Sequence, residues 1–126
     1  MEKTEKTDLG TFGEERAADF LKKHAYRIIA RNFKCKTGEI DIIAEKDEYV
    51  IFAEVKLRKN RDFGEAREFV TPAKQRRVIR AAQYWMALRR CARQPRFDVI
   101  EVYAPEGRLT PSPEIIHIEN AYGINY

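Results

Sequence analysis

The sequence lacks the residues on which several common function classes are built. It has two cysteines, Cys35 and Cys91, and two histidines, His24 and His117, none at the spacing of a zinc site or a disulfide framework. Two isolated thiols, with no signal-peptide pattern, suit a reducing compartment, and a cytoplasmic location is expected. No apolar run approaches the ~18 residues that a membrane span needs, so no membrane partner is expected. Internal repeats and low-complexity segments are absent. Acid is missing from one long stretch: residues 71–97 hold Lys74, Arg76, Arg77, Arg80, Arg89, Arg90, Arg93 and Arg96, and no Asp or Glu. Lys56, Arg58, Lys59 and Arg61 form a second basic cluster, while the acids concentrate in the first half. The net charge of +4 says little, but its distribution suggests a polyanionic partner. A solvated helix face would give the same pattern.

What is present suffices for one domain. The chain has 126 residues, 44% of them hydrophobic, enough for a single modest core. Residues 1–8 are polar and read as a flexible tail, leaving 9–126 as the domain.

The centre of the chain is 38–58. Glu39, Ile40, Asp41 and Ile42 alternate at period two, and 49–57 are rich in β-branched and aromatic residues. Two strands joined by a tight turn are expected, with Val50, Phe52, Glu54 and Lys56 on one face of the second. With the turn centred on Asp47 and Glu48, Asp41 lies opposite Glu54, and Glu39 opposite Lys56. A four-residue loop, 46–49, keeps that register and is easier to accept than Asp-Glu as a two-residue loop. Opposed carboxylates repel unless something positive sits between them, and the candidates are a divalent cation and Lys56. Two hard oxygen ligands suit Mg²⁺, with Mn²⁺ as a substitute. Ordinary cross-strand ion pairs, such as Glu39 with Lys56, are the plainer alternative.

Around this hairpin the pattern predicts the order α-β-β-β-α-β-β, an α/β (α+β) mixed sheet flanked by helices. Thr11 and Glu14 fit a capping box for a helix running to about His24, with Ala17, Ala18, Phe20 and Leu21 apolar. Glu14 projects from that apolar face, either completing the cap or pointing toward the hairpin acids. Residues 26–33 read as a strand. Residues 59–70 form a charged loop that can move or close on a ligand. Thr71 as N-cap and Pro72 at N1 open a second helix, with Val78, Ile79, Ala82, Trp85 and Met86 as its buried stripe. Strands follow at 97–103 and 115–118, and the tail 119–126 is expected to cover an edge. The crossover helix makes the third and fourth strands parallel. Asp98 and His117 read as structural, Asp98 as a partner for an arginine.

Several blocks together resemble one family: Gly13-Glu14-x-x-Ala17-Ala18, Arg31-Asn32-Phe33, the run from Gly38 to Ala44, Phe52-x-Glu54-Val55-Lys56-x-Arg58, Phe63-Gly64, Lys74-Gln75-x-Arg77 and Phe97-Asp98-Val99. The chain resembles the YraN-type family of uncharacterised bacterial proteins, within the PD-(D/E)xK restriction-endonuclease-like nucleases. Ile40 stands where the family name has proline. The resemblance implies a restriction-endonuclease-like core like that of Holliday-junction resolvases. It implies that Asp41, Glu54 and the Val55 backbone carbonyl hold the metal, that Lys56 assists the attacking water, and that Glu14 adds a further acid. Gln75, or Lys74, falls where related nucleases place a residue touching the site from the following helix. Arg58, Lys59, Lys74, Arg76, Arg77 and Arg80 are the candidate nucleic-acid contacts. The expected activity is a Mg²⁺-dependent endonuclease on nucleic acid, DNA favoured and branched structures among the candidates. A non-catalytic binding module or adaptor retaining the fold is the alternative. A homodimer is left open.

Overall fold

The computed structural model describes residues 2–60 and 70–123, with side chains from residue 9 onward. Arg61 and Phe63-Gly64 of the sequence motifs, and most of the 59–70 loop, lie outside the described residues.

Helix α1 spans Glu2–Lys23 and is followed by β1 (Arg27–Cys35), β2 (Gly38–Lys46) and β3 (Tyr49–Arg58). Helix α2 (Pro72–Arg89) then leads to β4 (Gln94–Tyr103), a short 3-10 turn at Gly107–Leu109, and β5 (Glu114–Tyr122). The five strands lie in the sheet in their chain order. β1–β2, β2–β3 and β4–β5 are antiparallel, and β3–β4, joined through α2, is parallel. The expected order and mixed sheet are therefore both present.

Two cores cover the two faces. Ala17, Ala18 and Leu21 of α1 pack on Ile42, Ala44, Ile51, Ala53, Ile100 and Val102. Val78, Ala81, Ala82 and Trp85 of α2 pack on Ile43, Val50, Phe52 and Phe97. The period-two alternation of β3 and the helical stripe of α2 feed these faces directly. Thr71 is extended (φ −63°, ψ 156°) and accepts a hydrogen bond from the Lys74 amide, so α2 starts where its cap and proline predict. It ends on Arg90, whose left-handed backbone (φ 48°, ψ 44°) lets its amide reach the carbonyls of Met86 and Ala87.

Three expectations are corrected. Thr11 caps nothing, because α1 begins at Glu2 and passes through Thr11 and Gly13. The Glu- and Lys-rich residues before Thr11 favour helix enough to override a local cap signal. The hairpin loop has two residues rather than four. Lys46 pairs with Tyr49, and Asp47 takes the left-handed φ (54°) that such a loop demands. Finally, residues 119–122 are strand and not tail: β5 runs to Tyr122, which pairs with Phe97 across a register shift. Asn120 absorbs that irregularity with a φ of 53°.

Candidate metal centre

The β2–β3 ladder keeps the predicted register from Lys46↔Tyr49 to Ile42↔Ala53, and there it stops. The next position would set Asp41 against Glu54. Instead the strands part, and the Val55 amide donates to Asp41 Oδ2 at 2.8 Å. β2 also turns over at this residue. Ile40 packs in the α2 core and Ile42 in the α1 core, although two positions apart on a regular strand would share a face. Asp41 thus sits where both helices can act on it.

Both do. Burial raises the Asp41 pKa to about 6, helped by the charges of Glu14 from α1 and Glu54 from β3; the Val55 hydrogen bond and Lys74 act against the rise. Glu14 ion-pairs with Arg31 at 3.7 Å. It reaches the site as a nearby charge.

Glu54 is 8% exposed. Its Oε1 receives Lys56 Nζ at 3.1 Å and the ammonium of Lys74 from the first turn of α2. Burial works against charge on Lys74, but Glu54, Asp41 and Glu39 outweigh it and hold the ammonium above its usual pKa. Glu54 Oε2 is buried with no hydrogen-bond partner among the described residues. A cleft of about 20 Å³ lies between Glu39, Ile40, Asp41, Ala53, Glu54, Lys74 and Val78. That is room for about one water-sized sphere.

The remaining predicted residues divide. Lys56 and Lys74 converge on Glu54. Glu39 does not meet Lys56; it pairs with Lys34 on β1, at 3.9 Å between charged atoms. Gln75 donates to the Val70 carbonyl at 2.9 Å, bracing the entry to α2, so it is Lys74 that touches the acids from the helix. Val55 contacts Asp41 through its amide. Arg58 turns toward buried Glu101, Nε to Oε2 3.9 Å, rather than outward. Lys59, Arg76, Arg77 and Arg80 are exposed. Arg76 and Arg80 line a groove of about 360 Å³ with Pro72, Gln75, Ile79, Gln83 and Gly123, and none of these lining residues is acidic.

Two residues were missed by sequence reading. Glu101, 2% exposed, accepts from the Tyr103 hydroxyl at 2.8 Å and lies beside Lys56 in the parallel ladder. Tyr122 packs against the cluster of Val70 and Val99, the latter the ladder partner of Glu54. The alternation of β4 could have marked Glu101; Tyr122 lay in what read as a tail.

Asp41 and Glu54 are suited to a hard divalent ion: two carboxylates, one with an unpartnered buried oxygen, which is the number Mg²⁺ commonly takes. Among the described residues no three Asp, Glu, His or Cys side chains stand close enough to hold an ion unaided.

The sequence matches, over residues 13–102, the family described as "Uncharacterised protein family UPF0102". This chain belongs to that family. A UPF0102 protein of Caldanaerobacter subterraneus is 42% identical over 97% of this chain and 100% of its own length. One from Geotalea daltonii is 43% identical over 98% of this chain and 96% of its own. A third, from Clostridium perfringens, is 50% identical over 75% and 78% respectively. This UPF0102 chain therefore has full-length relatives whose names carry no activity.

Proposed function

We propose that this UPF0102 protein is a metal-dependent nuclease that hydrolyses phosphodiester bonds of nucleic acid, with DNA the favoured substrate and branched DNA among the candidates. The observation that carries the reading is the parting of β2 and β3 at Asp41 and Glu54, where both lysines bind one oxygen of Glu54 and the other, Oε2, is buried without a partner among the described residues. Ordinary sheet ion pairs would have closed the ladder and satisfied that oxygen.

Asp41 and Glu54 would hold the ion, with the Val55 carbonyl as a further candidate and Glu14 adding negative charge behind Asp41. A divalent ion there supplies Lewis acidity toward a phosphoryl oxygen and a water more acidic than bulk. The chain's own groups do the rest. The Val55 amide fixes the orientation of Asp41. Lys56 and Lys74 offer ammonium groups to phosphate oxygens. Arg76, Arg77 and Arg80 on the outer surface of α2, with Lys59, supply the sequence-independent backbone contacts a nuclease requires.

One observation favours a second reading. Both lysines already neutralise Glu54, and the cleft beside it is small. A nucleic-acid-binding module that keeps the fold without cutting has the same appearance.

Cleavage of linear, single-stranded and four-way-junction DNA with Mg²⁺ or Mn²⁺ separates the two. The nuclease reading expects metal-dependent cutting that Glu54→Ala and Lys56→Ala each reduce by about 10²-fold or more. Cutting that survives both substitutions overturns the site. Metal-independent binding without cutting selects the module.

A further inference from the structure

The sheet face under α2 carries a row of aromatic rings. Tyr122 stacks on Phe97 (5.4 Å between centroids, 22°), and Phe97 stacks on Phe52 (5.6 Å, 27°). Trp85 closes the row edge-on to Phe52 at 5.9 Å. Glu54 follows Phe52 on the same face of β3, and its ladder partner Val99 forms with Val70 the small cluster on which Tyr122 packs. The ring of Tyr122 is therefore well placed for burial, and phenylalanine would serve it equally.

Its hydroxyl is not so placed. The oxygen is buried and has no hydrogen-bond partner among the described residues. An unsatisfied buried polar group costs about 1–3 kcal/mol, a loss a purely structural residue has no reason to carry. Burial raises the Tyr122 pKa, and the charges of Glu54, Asp98 and Asp41 raise it further. The phenol stays protonated and able to donate. Two unpartnered buried oxygens thus belong to one neighbourhood: Glu54 Oε2, which accepts only, and Tyr122 Oη, which donates.

We propose that the Tyr122 hydroxyl is part of the Asp41–Glu54 site, where it donates a hydrogen bond to an oxygen of the occupant, a water or a phosphoryl oxygen. This rests on the site reading given above. It extends that site to the last strand, to a side chain no motif of the hairpin announces.

Tyr122→Phe tests it, because the ring and its stack are kept. Stability is measured by denaturant unfolding, Mn²⁺ affinity by calorimetry, and DNA affinity by anisotropy with and without Mn²⁺. The variant is expected to be at least as stable as the parent and to lose about three- to tenfold in affinity, the scale of one hydrogen bond. Loss in Mn²⁺ affinity without DNA identifies the partner as a water. Loss confined to DNA binding identifies a phosphoryl oxygen. Unchanged affinities in a parent that binds both ligands overturn the role of Tyr122 alone, whatever the stability. A parent that binds neither ligand overturns the site reading, and the role of Tyr122 with it.

Discussion

The carboxyl group of Asp41 ionises at about pH 6 rather than near 3.8, because it is buried among other acids. Folding therefore takes up a proton between those two values. Below pH 3.8 the group is protonated whether folded or not, and it contributes no penalty. Above about pH 6 it is charged in both states, and the full penalty stands. Stability from this residue thus falls as pH rises through the window. Asn lacks the titration yet can still accept the Val55 hydrogen bond. Asp41→Asn is expected to raise stability by about 1–3 kcal/mol at pH 7 and by little at pH 3.5. Urea unfolding at the two pH values checks this, and a destabilised variant at pH 7 would refute it. A residue whose replacement strengthens the fold is held there for something other than folding.

At the scale of elements, β5 is held to β4 by a buried charge network as well as by its ladder. Asp98, fully buried, accepts from Arg96 at 2.8 Å, the Asn120 amide at 2.9 Å and His117 Nε2 at 2.6 Å. Burial opposes its charge, but the hydrogen bonds from His117, Arg96 and Asn120 prevail and hold its pKa below the usual range. Its contribution is present above pH ~4 and is lost as pH falls through the depressed value, the opposite sense to Asp41. Asp98→Ala leaves Arg96 half of a broken buried pair and should cost about 3–5 kcal/mol. Hydrogen exchange should show the amides of β5 opening first; protection equal to the parent would count against the latch. The same network explains what the sequence hid. Glu119 and Asn120 break the apolar alternation, so the strand read as ending at 118. Their polar groups are satisfied by Arg96 and Asp98, far away in the chain, which no local pattern reports. β2, β3 and α2 were legible because period, cap and proline all agree there. The register was legible as far as Ile42 and Ala53, but the parting of the strands at Asp41 was not, and Lys74 over Gln75 needed the actual rotation of α2.

For the whole molecule, the acid pair where β2 and β3 part is set against the exposed basic surface of α2. No described helix is long and apolar enough to cross a membrane. If Arg76 and Arg80 bind phosphates, log K for duplex DNA should fall linearly with log salt, by about 0.9 for each phosphate neutralised. Arg76→Ala with Arg80→Ala should then reduce that slope by about two, with Mn²⁺ affinity unchanged. A slope equal to the parent's would place the polyanion on another face.

Glu54 divides its two oxygens between two tasks. Oε1 is neutralised by Lys56 and Lys74, whereas Oε2 meets no hydrogen-bond partner among the described residues. If a dication binds at Glu54 as proposed, Oε2 is open to it without displacing either ammonium, and both lysines stay on the carboxylate as fixed positive charges beside the ion. A phosphate arriving there would then meet cations of the protein and of the metal side by side.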